Sequence, residues 1–177
     1  MELYIKQKFW SVLENYSVVD EHDTVQFFVK GQLSFLHKRF IVSDAQQVPM
    51  FTLISRFSFI FRKYDIQENK GSESCVGETI GRFREGFHMP FRRRAYLKYF
   101  DENGVEHKLR VTGSFIGFNW KIKDKSLPKG DRTVATIEKK VFKVADTYRL
   151  KIINNSVPAK YLLAIGILID TMHHQSH

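Results

Sequence analysis

The residues best suited to chemistry lie in one basic and aromatic stretch, RFREGFHMPFRRRAYLK, at residues 82–98. This stretch holds six Lys or Arg residues and one Glu, interleaved with aromatic residues. Clustered cations attract phosphate groups, and neighbouring aromatic rings can enter a lipid interface or stack on bases. The sequence therefore predicts a binding site for an anionic partner here. The predicted anion-binding residues are Arg82, Arg84, Arg92, Arg93, Arg94 and Lys98, and the predicted interfacial aromatic residues are Phe87 and Phe91.

A solvated hairpin loop is the alternative interpretation of Arg82 to Arg94, with its aromatic rings packed back onto the domain. A second set of basic residues alternates with apolar residues, which is typical of the solvent-facing side of a strand. This second set comprises Lys38, Arg39, Arg62, Lys63, Lys121, Lys123 and Lys125. We expect it to keep the outer surface charged and soluble rather than to bind phosphate.

No arrangement of residues typical of catalysis or of metal binding stands out in the sequence. Cys75 is the single cysteine, and no neighbouring motif would activate its thiol. The carboxylates cluster in turn-forming segments such as 20–23 and 101–104, where they satisfy backbone donors. HHQSH at residues 173–177 is predicted to be a tail rather than a metal site. We therefore predict a protein that is not an enzyme, with no cofactor and no metal.

Composition limits the class of protein and the class of partner. The chain has 177 residues, and its 28 Lys and Arg exceed its 19 Asp and Glu by 9 charges. An apolar share of 43%, with 14% aromatic residues, excludes a disordered chain, and the length predicts one domain. The positive charge predicts an anionic partner, either an acidic membrane lipid or a nucleic acid.

The sequence predicts a cytoplasmic protein with no transmembrane segment. The first residues alternate apolar and polar side chains and lack the continuous apolar core of a signal peptide. The longest apolar run, Tyr161 to Ile169, has nine residues, whereas a spanning helix needs about 20. A single cysteine excludes an intramolecular disulfide and suits a reducing compartment.

Strands must position the basic residues, because most of the chain alternates apolar and polar residues with a period of two. Runs such as TVQFFV at 24–29 and RFIVS at 39–43 are short, rich in β-branched and aromatic residues, and bounded by turn formers. About eleven or twelve such runs predict a mainly β protein, either a sandwich or a barrel.

The C-terminal part is the exception to this alternation. SVPAKYLLAIGILIDTM at residues 156–172 is apolar on every side, so a helix here must lie inside a core. Gly166 lowers helix propensity by about 1 kcal/mol relative to Ala, which predicts a close packing contact at this position. We therefore predict a closed sheet around a central helix at about 157–171, with Tyr161 to Ile169 nearly fully buried.

A weak internal repeat accompanies the strand pattern. VKGQLSF at 29–35 is similar to VTGSFI at 111–116, and the turn DEHD at 20–23 aligns with DENG at 101–104. Two halves of about six strands each would account for this repeat. The predicted organisation is a single domain at 1–172, with halves at about 1–67 and 74–153, and a tail at 173–177.

The chain resembles the LURP-one-related family in five segments. These segments are LYIKQKFW at 3–10, FFVKGQLSFLHKRFIVSD at 27–44, ISRFSF at 54–59, VTGSFIGFNWKIKD at 111–124 and KYLLAIGILID at 160–170. The resemblance covers nearly the whole chain and implies the fold shared with the tubby C-terminal domain and the phospholipid scramblases. That fold is a closed twelve-stranded antiparallel barrel around a central hydrophobic C-terminal helix. The chain departs from the family at Arg82 to Arg94, where the hairpin loop is longer and more basic.

The leading hypothesis is a non-catalytic binding protein that engages an anionic membrane lipid, such as a phosphoinositide, through its basic surface. It depends on the net charge of +9, the basic stretch and the resemblance to tubby-like proteins. The alternatives are a nucleic-acid-binding protein, and a structural or protein-interaction module with no small ligand and an unknown protein partner. The expected location is the cytoplasm, with peripheral attachment to a membrane under the leading hypothesis.

Overall fold

Twelve β-strands and one α-helix make up the part of the chain that the computed structural model describes, residues 1–7, 15–33, 38–58, 60–69, 76–86, 93–114, 118–141 and 146–174. The first six strands are β1 (Glu2–Gln7), β2 (Asn15–Val19), β3 (Val25–Leu33), β4 (Lys38–Asp44), β5 (Pro49–Arg56) and β6 (Lys63–Asn69). The remaining elements are β7 (Val76–Glu85), β8 (Arg93–Phe100), β9 (Glu106–Ser114), β10 (Asn119–Asp124), β11 (Thr133–Val141), β12 (Asp146–Ile152) and the helix α1 (Ala159–His174).

The strands form one closed antiparallel barrel. Each strand pairs with the next one along the chain, and β1 pairs with β12 to complete the circle. The closing pair places Glu2 opposite Lys151 and Ile5 opposite Tyr148. Closure pairs both edges of every described strand, which protects the sheet from edge-to-edge association. The predicted mainly β fold, a closed twelve-stranded antiparallel barrel, is confirmed.

Alternation along each strand explains how one sequence supplies both a filled interior and a charged exterior. In β8, Leu97 and Tyr99 are buried, whereas Lys98 between them is exposed. β10 follows the same rule, because Trp120 is buried and Lys121 is exposed. Successive side chains of a strand point to opposite faces of the sheet, so the polar half of each strand becomes the outer surface of the barrel.

Three of the turns between strands use the same arrangement of an aspartate. The Oδ1 atom of Asp101 accepts hydrogen bonds from the backbone N–H groups of Asn103 and Val105, both at 2.9 Å. Asp20 and Asp44 accept the equivalent pairs of bonds in their own turns. Such bonds replace the ladder hydrogen bonds that the chain loses where it reverses direction. The expectation that carboxylates in these turns satisfy backbone donors is confirmed.

The helix α1 fills the barrel. Every residue from Tyr161 to Met172 is buried, and the large aliphatic residues among them are fully inaccessible to solvent. A Cβ atom at Gly166 would lie 2.8 Å from Cδ1 of Ile5, which is well inside the distance of about 3.5–4.0 Å at which carbon atoms pack. The close contact predicted at this glycine is therefore with β1. The prediction of a central helix with Tyr161 to Ile169 buried is confirmed.

The first turn of the helix is attached to β7 and β8. The hydroxyl of Tyr161 donates hydrogen bonds to the carbonyl oxygens of Ile80 at 3.3 Å and Phe100 at 3.4 Å. The Tyr161 ring stacks on Tyr99, with 4.2 Å between the ring centroids. Burial raises the pKa of both hydroxyl groups, that of Tyr99 to about 12. The helix therefore fixes the two strands that carry most of the predicted basic residues.

The structure gives the bounds of the helix and of the strands on either side of the predicted break between the two halves. The helix begins at Ala159 and ends at His174, so it continues two residues into the predicted tail at 173–177. β6 ends at Asn69 and β7 begins at Val76. The connection between these two strands overlaps the predicted break between the halves at 1–67 and 74–153. The single domain at 1–172 and its two repeats stay predictions. Within the described residues, no helix combines the length and the apolar character needed to cross a bilayer.

Candidate functional site on the outer face of β5–β9

One row of side chains crosses four strands on the outer face of the barrel. Arg56 on β5 is paired with Lys63 on β6, Lys63 with Arg84 on β7, and Arg84 with Tyr96 on β8. Directly opposed residues of neighbouring antiparallel strands point to the same face, with Cβ atoms about 4.5–5.5 Å apart. The strand register therefore concentrates three cations and one aromatic ring along a line across the sheet.

A second row runs beside the first, two residues away along each strand. Asp65 on β6 is paired with Arg82 on β7, Arg82 with Lys98 on β8, and Lys98 with Lys108 on β9. Phe83 is buried, so the arginines on either side of it face solvent. The Arg82 side chain is 66% exposed and that of Lys98 is 48% exposed. Their charged groups are therefore accessible to a ligand.

The two rows enclose a concavity of about 480 Å³, which we call the basic groove. Ligand sites in proteins commonly have volumes of about 300–1,000 Å³, so the basic groove can hold a small molecule or a headgroup. It lies outside the barrel, whose interior is filled by α1. The groove is lined by Arg56, Phe61, Lys63, Tyr64, Asp65, Arg82, Phe83, Arg84, Gly86, Tyr96, Lys98 and Lys108.

The charges of the groove are strongly unbalanced, because its lining includes six cations and one carboxylate, Asp65. Oδ2 of Asp65 lies 3.4 Å from Nε of Arg56, and its Oδ1 lies 3.8 Å from Nε of Arg82. One carboxylate cannot neutralise two guanidinium groups. At the rim, Nζ of Lys98 is 2.8 Å from Oε1 of Glu106, which lies outside the lining. The groove therefore keeps a large positive excess.

Two of the other cations lie against aromatic rings. The guanidinium carbon of Arg84 is 5.5 Å from the centroid of Phe61, and Nζ of Lys108 is 5.2 Å from the centroid of Tyr96. Such contacts contribute about 0.5–1 kcal/mol at exposed sites, and they orient a cation without cancelling its charge. In the described part of the chain, no carboxylate lies within ion-pair distance of Lys63, Arg84 or Lys108. These three charges remain available to an anion.

The structure places three of the predicted anion-binding residues together. Arg82, Arg84 and Lys98 all line the basic groove. The predicted residue Arg92 and the predicted interfacial residues Phe87 and Phe91 lie outside the described residues. The predicted site is therefore brought together in part, and its described members lie on strands.

Arg93 and Arg94 do not line the groove. Arg94 is half-buried and is paired with Thr112 on β9. Arg93 lies one residue out of phase with the groove residues, and its Nη1 donates to Oε1 of the buried Glu85 at 3.4 Å. This contact gives Arg93 a structural role at the end of the barrel.

The prediction that Arg82 to Arg94 form a basic hairpin loop is wrong at both of its ends. β7 continues to Glu85 and β8 begins at Arg93, so Arg82 and Arg84 belong to a strand. The physical reason is the alternation of the sequence RFRE, in which Phe83 enters the core while the two arginines face solvent. A strand with exposed arginines and a basic loop have similar amino-acid compositions, so composition alone does not distinguish them.

Sequence analysis missed half of the cations in the groove, Arg56, Lys63 and Lys108. Lys63 was expected on a solvated outer face, and it does lie there, but next to Arg84. Arg56 and Lys63 flank the β5–β6 connection, so they are opposite each other in register. Alternation within each strand would have assigned all three side chains to the outer face. Only the pairing of β5 to β9 shows that they share one groove.

Comparison with known proteins assigns the chain to a family. A family model described as LURP-one-related matches residues 1–170. The chain belongs to the LURP-one-related family. No curated protein matches its sequence. Among solved structures, the X-ray structure of a protein from Arabidopsis thaliana is similar over 96% of this chain and 91% of that chain, with a TM-score of 0.54 and 15% sequence identity.

At 15% identity, this likeness shows the fold alone. The LURP-one-related chain shares with its structural neighbour the tubby-like arrangement of a twelve-stranded antiparallel barrel and one C-terminal helix. The family assignment confirms the resemblance found in the five sequence segments. It is consistent with a non-catalytic binding module, and the basic groove lies entirely within the residues that match the family.

Proposed function

We propose that this LURP-one-related protein is a non-catalytic binding module whose basic groove holds the phosphate groups of an anionic membrane lipid, with a phosphoinositide as the ligand class. The observation that carries the proposal is the charge of the groove, six cations against one shared carboxylate in a concavity of about 480 Å³. Peripheral attachment to the cytoplasmic face of a membrane follows from this proposal, since that leaflet carries anionic lipids.

The types of cation in the groove suit phosphate. Arg82 and Arg84 offer planar guanidinium groups, which can donate two parallel hydrogen bonds to one phosphate. Lys63, Lys98 and Lys108 supply point charges on flexible stems, which adapt to phosphates at different positions on a ring. A headgroup with several phosphates would therefore contact both rows of the groove at once.

The chemistry of the lining supports binding rather than catalysis. The described residues that line the groove include no Ser, Cys or His, and their one carboxylate, Asp65, is shared by two arginines. Nucleophilic and acid–base catalysis most often use Ser, Cys, His or carboxylate side chains within hydrogen-bond distance of each other, and of these types the described lining offers only Asp65.

A lipid headgroup is also favoured over a nucleic acid. Proteins that bind single strands usually stack successive bases on exposed aromatic faces. The two aromatic rings best placed for this in the groove, Phe61 and Tyr96, each have a cation over the ring. A phosphate ligand needs those cations and makes no use of the ring faces.

Co-sedimentation with vesicles tests the proposal directly. We expect the protein to bind phosphatidylcholine vesicles that contain a phosphoinositide, and not pure phosphatidylcholine vesicles, at about 0.1 M salt. The double variant Arg82→Glu/Arg84→Glu should lose most of this binding, roughly a hundredfold, since each cation near an anionic surface is worth about 1 kcal/mol.

The matched control is Lys125→Glu/Lys129→Glu, which makes the same change of net charge in the exposed β10–β11 connection. It should bind nearly as well as the unmodified protein. Equal losses in the two double variants would show that net charge, not the groove, controls binding. Displacement of the protein from vesicles by excess single-stranded or duplex DNA would favour the nucleic-acid alternative.

A further inference from the structure

The two ends of the barrel differ in sequence. Because consecutive strands are antiparallel, the connections β1–β2, β3–β4, β5–β6, β7–β8, β9–β10 and β11–β12 leave the strands at one end, and the other five at the opposite end. Each of the six sequences at the first end contains Phe, whereas none of the five at the opposite end contains Phe, Tyr or Trp. We call the first end the aromatic end.

The β5–β6 connection, residues 57–62, contributes two exposed apolar side chains to the aromatic end. Ile60 is 79% exposed and Phe57 is 70% exposed, the highest values for large hydrophobic residues in the described part of the chain. Exposed apolar side chains that lie close together commonly mark a site of interaction with a protein or a membrane. The opposite end also has exposed apolar side chains, but none among the described residues is more than 63% exposed; they are those of Met1, Val48, Met50, Phe100, Val105 and Ile153.

The β5–β6 connection is held in place at Arg62. The backbone oxygen of Arg62 accepts a hydrogen bond from the N–H of Glu85 at 2.9 Å, and its own N–H donates to Oε2 of Glu85 at 3.4 Å. Nη1 of Arg62 donates to the carbonyl oxygen of Met172, near the end of α1, at 3.1 Å. These bonds tie the C-terminal end of the connection, next to Ile60, to β7 and to the helix.

The exposed apolar pair adjoins residues of the basic groove along the chain. Arg56 and Phe61, which line the groove, are the immediate sequence neighbours of Phe57 and Ile60. An anionic bilayer presents phosphate groups at its surface and hydrocarbon just below them. A polar protein partner would match the groove alone, and an apolar one would match only the loop. The combination of charge and exposed apolar surface therefore points to a membrane.

We infer that the β5–β6 connection is a membrane-insertion element, in which Phe57 and Ile60 enter the boundary between headgroups and acyl chains while the basic groove binds lipid phosphate. The inference rests on the proposed function and adds to it a direction of approach, with the aromatic end facing the bilayer. Amphipathic elements bind membranes by this combination of buried apolar area and electrostatic attraction.

The test separates insertion from headgroup binding by measuring each with its own probe. The variant Phe57→Ser/Ile60→Ser should lower binding to phosphoinositide-containing vesicles by roughly ten- to a hundredfold, because burial of these side chains would be lost. Its affinity for soluble inositol trisphosphate, measured by calorimetry, should stay within about twofold of the unmodified protein, because the groove is intact.

Phe100→Ser is the matched control. Phe100 is 48% exposed and lies at the end of β8 away from the aromatic end, so its replacement should leave vesicle binding unchanged. As an independent measurement, a Trp introduced by Ile60→Trp should shift its fluorescence to the blue with anionic vesicles and be quenched by brominated acyl chains. A Trp introduced by Phe100→Trp should not respond to these acyl chains.

The outcomes distinguish this inference from the proposed function. Normal vesicle binding by Phe57→Ser/Ile60→Ser would overturn the insertion element while leaving the groove as the binding site. Equal losses of vesicle and inositol trisphosphate binding would also overturn it, because the loop would then act only by shaping the groove. If the unmodified protein self-associates without lipid and this variant is monomeric, the loop is a contact between copies. Failure of the unmodified protein to bind either probe removes the proposed function itself.

Discussion

Two outer faces of the same barrel arrange their charged side chains in opposite ways. On β1, β11 and β12, Nη2 of Arg149 lies 2.7 Å from Oε2 of Glu138, and Nη1 lies 3.5 Å from Oε2 of Glu2. Lys151 also approaches Glu2, at 3.7 Å. On β5–β9, six cations surround Asp65 alone within the basic groove. The first face pairs its cations with carboxylates, and the second keeps an excess of positive charge.

The pKa shifts on the first face follow from its hydrogen bonds and ion pairs. A hydrogen bond to Glu138 raises the pKa of Arg149, and a hydrogen bond from Tyr4 lowers the pKa of Glu2, with Arg149 and Lys151 adding to that effect. Paired surface charges of this kind contribute little net stability. They also attract an anion only weakly, because each cation already has a carboxylate partner. The number of basic residues therefore does not distinguish the two faces. The positions of the opposing carboxylates do distinguish them.

The largest change should come from the core, which both faces share. Ile165→Asp would place a charge in the fully buried centre of α1, and we expect it to abolish cooperative unfolding in urea and vesicle binding together. Ile165→Val is the control and should cost only about 0.5–1.5 kcal/mol. A cooperative transition in Ile165→Asp would contradict the central position of the helix.

Converting the groove to the paired arrangement should produce the next largest effect. Tyr96 is opposite Arg84 in register, just as Glu138 is opposite Arg149, so Tyr96→Glu would supply the carboxylate that the groove lacks. We expect about tenfold weaker binding to anionic vesicles with every groove cation still present. The Tyr96→Gln variant adds no charge, so it should avoid most of this tenfold loss of affinity for anionic vesicles. Similar affinities for the two variants would disprove the role of charge pairing.

Removing the shared carboxylate should change the groove in the other direction. Asp65→Asn frees Arg56 and Arg82, and we expect a gain of roughly threefold in affinity for inositol trisphosphate, or somewhat less than 1 kcal/mol. Asp131→Asn makes the same charge change in the exposed β10–β11 connection and should leave calorimetric affinity unaltered. A gain of equal size in both variants would reflect net charge rather than the groove.

The smallest effect should appear on the paired face, as a dependence of stability on pH. The pKa of Glu2 is lowered from 4.5 in the folded protein, so its interactions stabilise the fold above that pH and are lost as the pH falls through the folded value. Glu2→Gln should therefore lower the free energy of unfolding by less than about 1 kcal/mol at pH 7. That difference should shrink as the pH is taken below 4.5. Urea denaturation of both proteins across this range measures it, and a difference independent of pH would be inconsistent with the lowered pKa.

The sequence predicts the barrel and its helix well, because local patterns determine both. Alternation specifies strands, and a segment apolar on every side, Tyr161 to Ile169, can only lie inside a core. The end of the helix was harder to predict, because Asp170 and Thr171 are polar and yet buried, so the apolar run stops before the buried segment does.

The candidate site was only partly predictable, for a physical reason. Arg82, Arg84 and Lys98 are close in sequence and attract attention as a cluster, whereas Arg56 and Lys108 join them only through the pairing of β5 to β9. Register depends on contacts between strands, which no single segment encodes. The carboxylates that pair with surface cations were also not predicted, because nothing in the sequence around Arg149 indicates that Glu2 lies beside it.

The placement of α1 after all twelve strands sets the order in which the protein assembles during synthesis. Nearly every strand pairs with its neighbour in sequence, so the sheet can grow as a series of hairpins while the chain emerges. The exception is the closing pair of β1 with β12, which cannot form until β12 has been synthesised, although β1 also pairs with β2. Until α1 arrives, the inner face of that sheet has nothing to pack against. We therefore expect a ribosome-bound intermediate to expose a broad apolar surface that chaperones can bind and that the finished barrel buries.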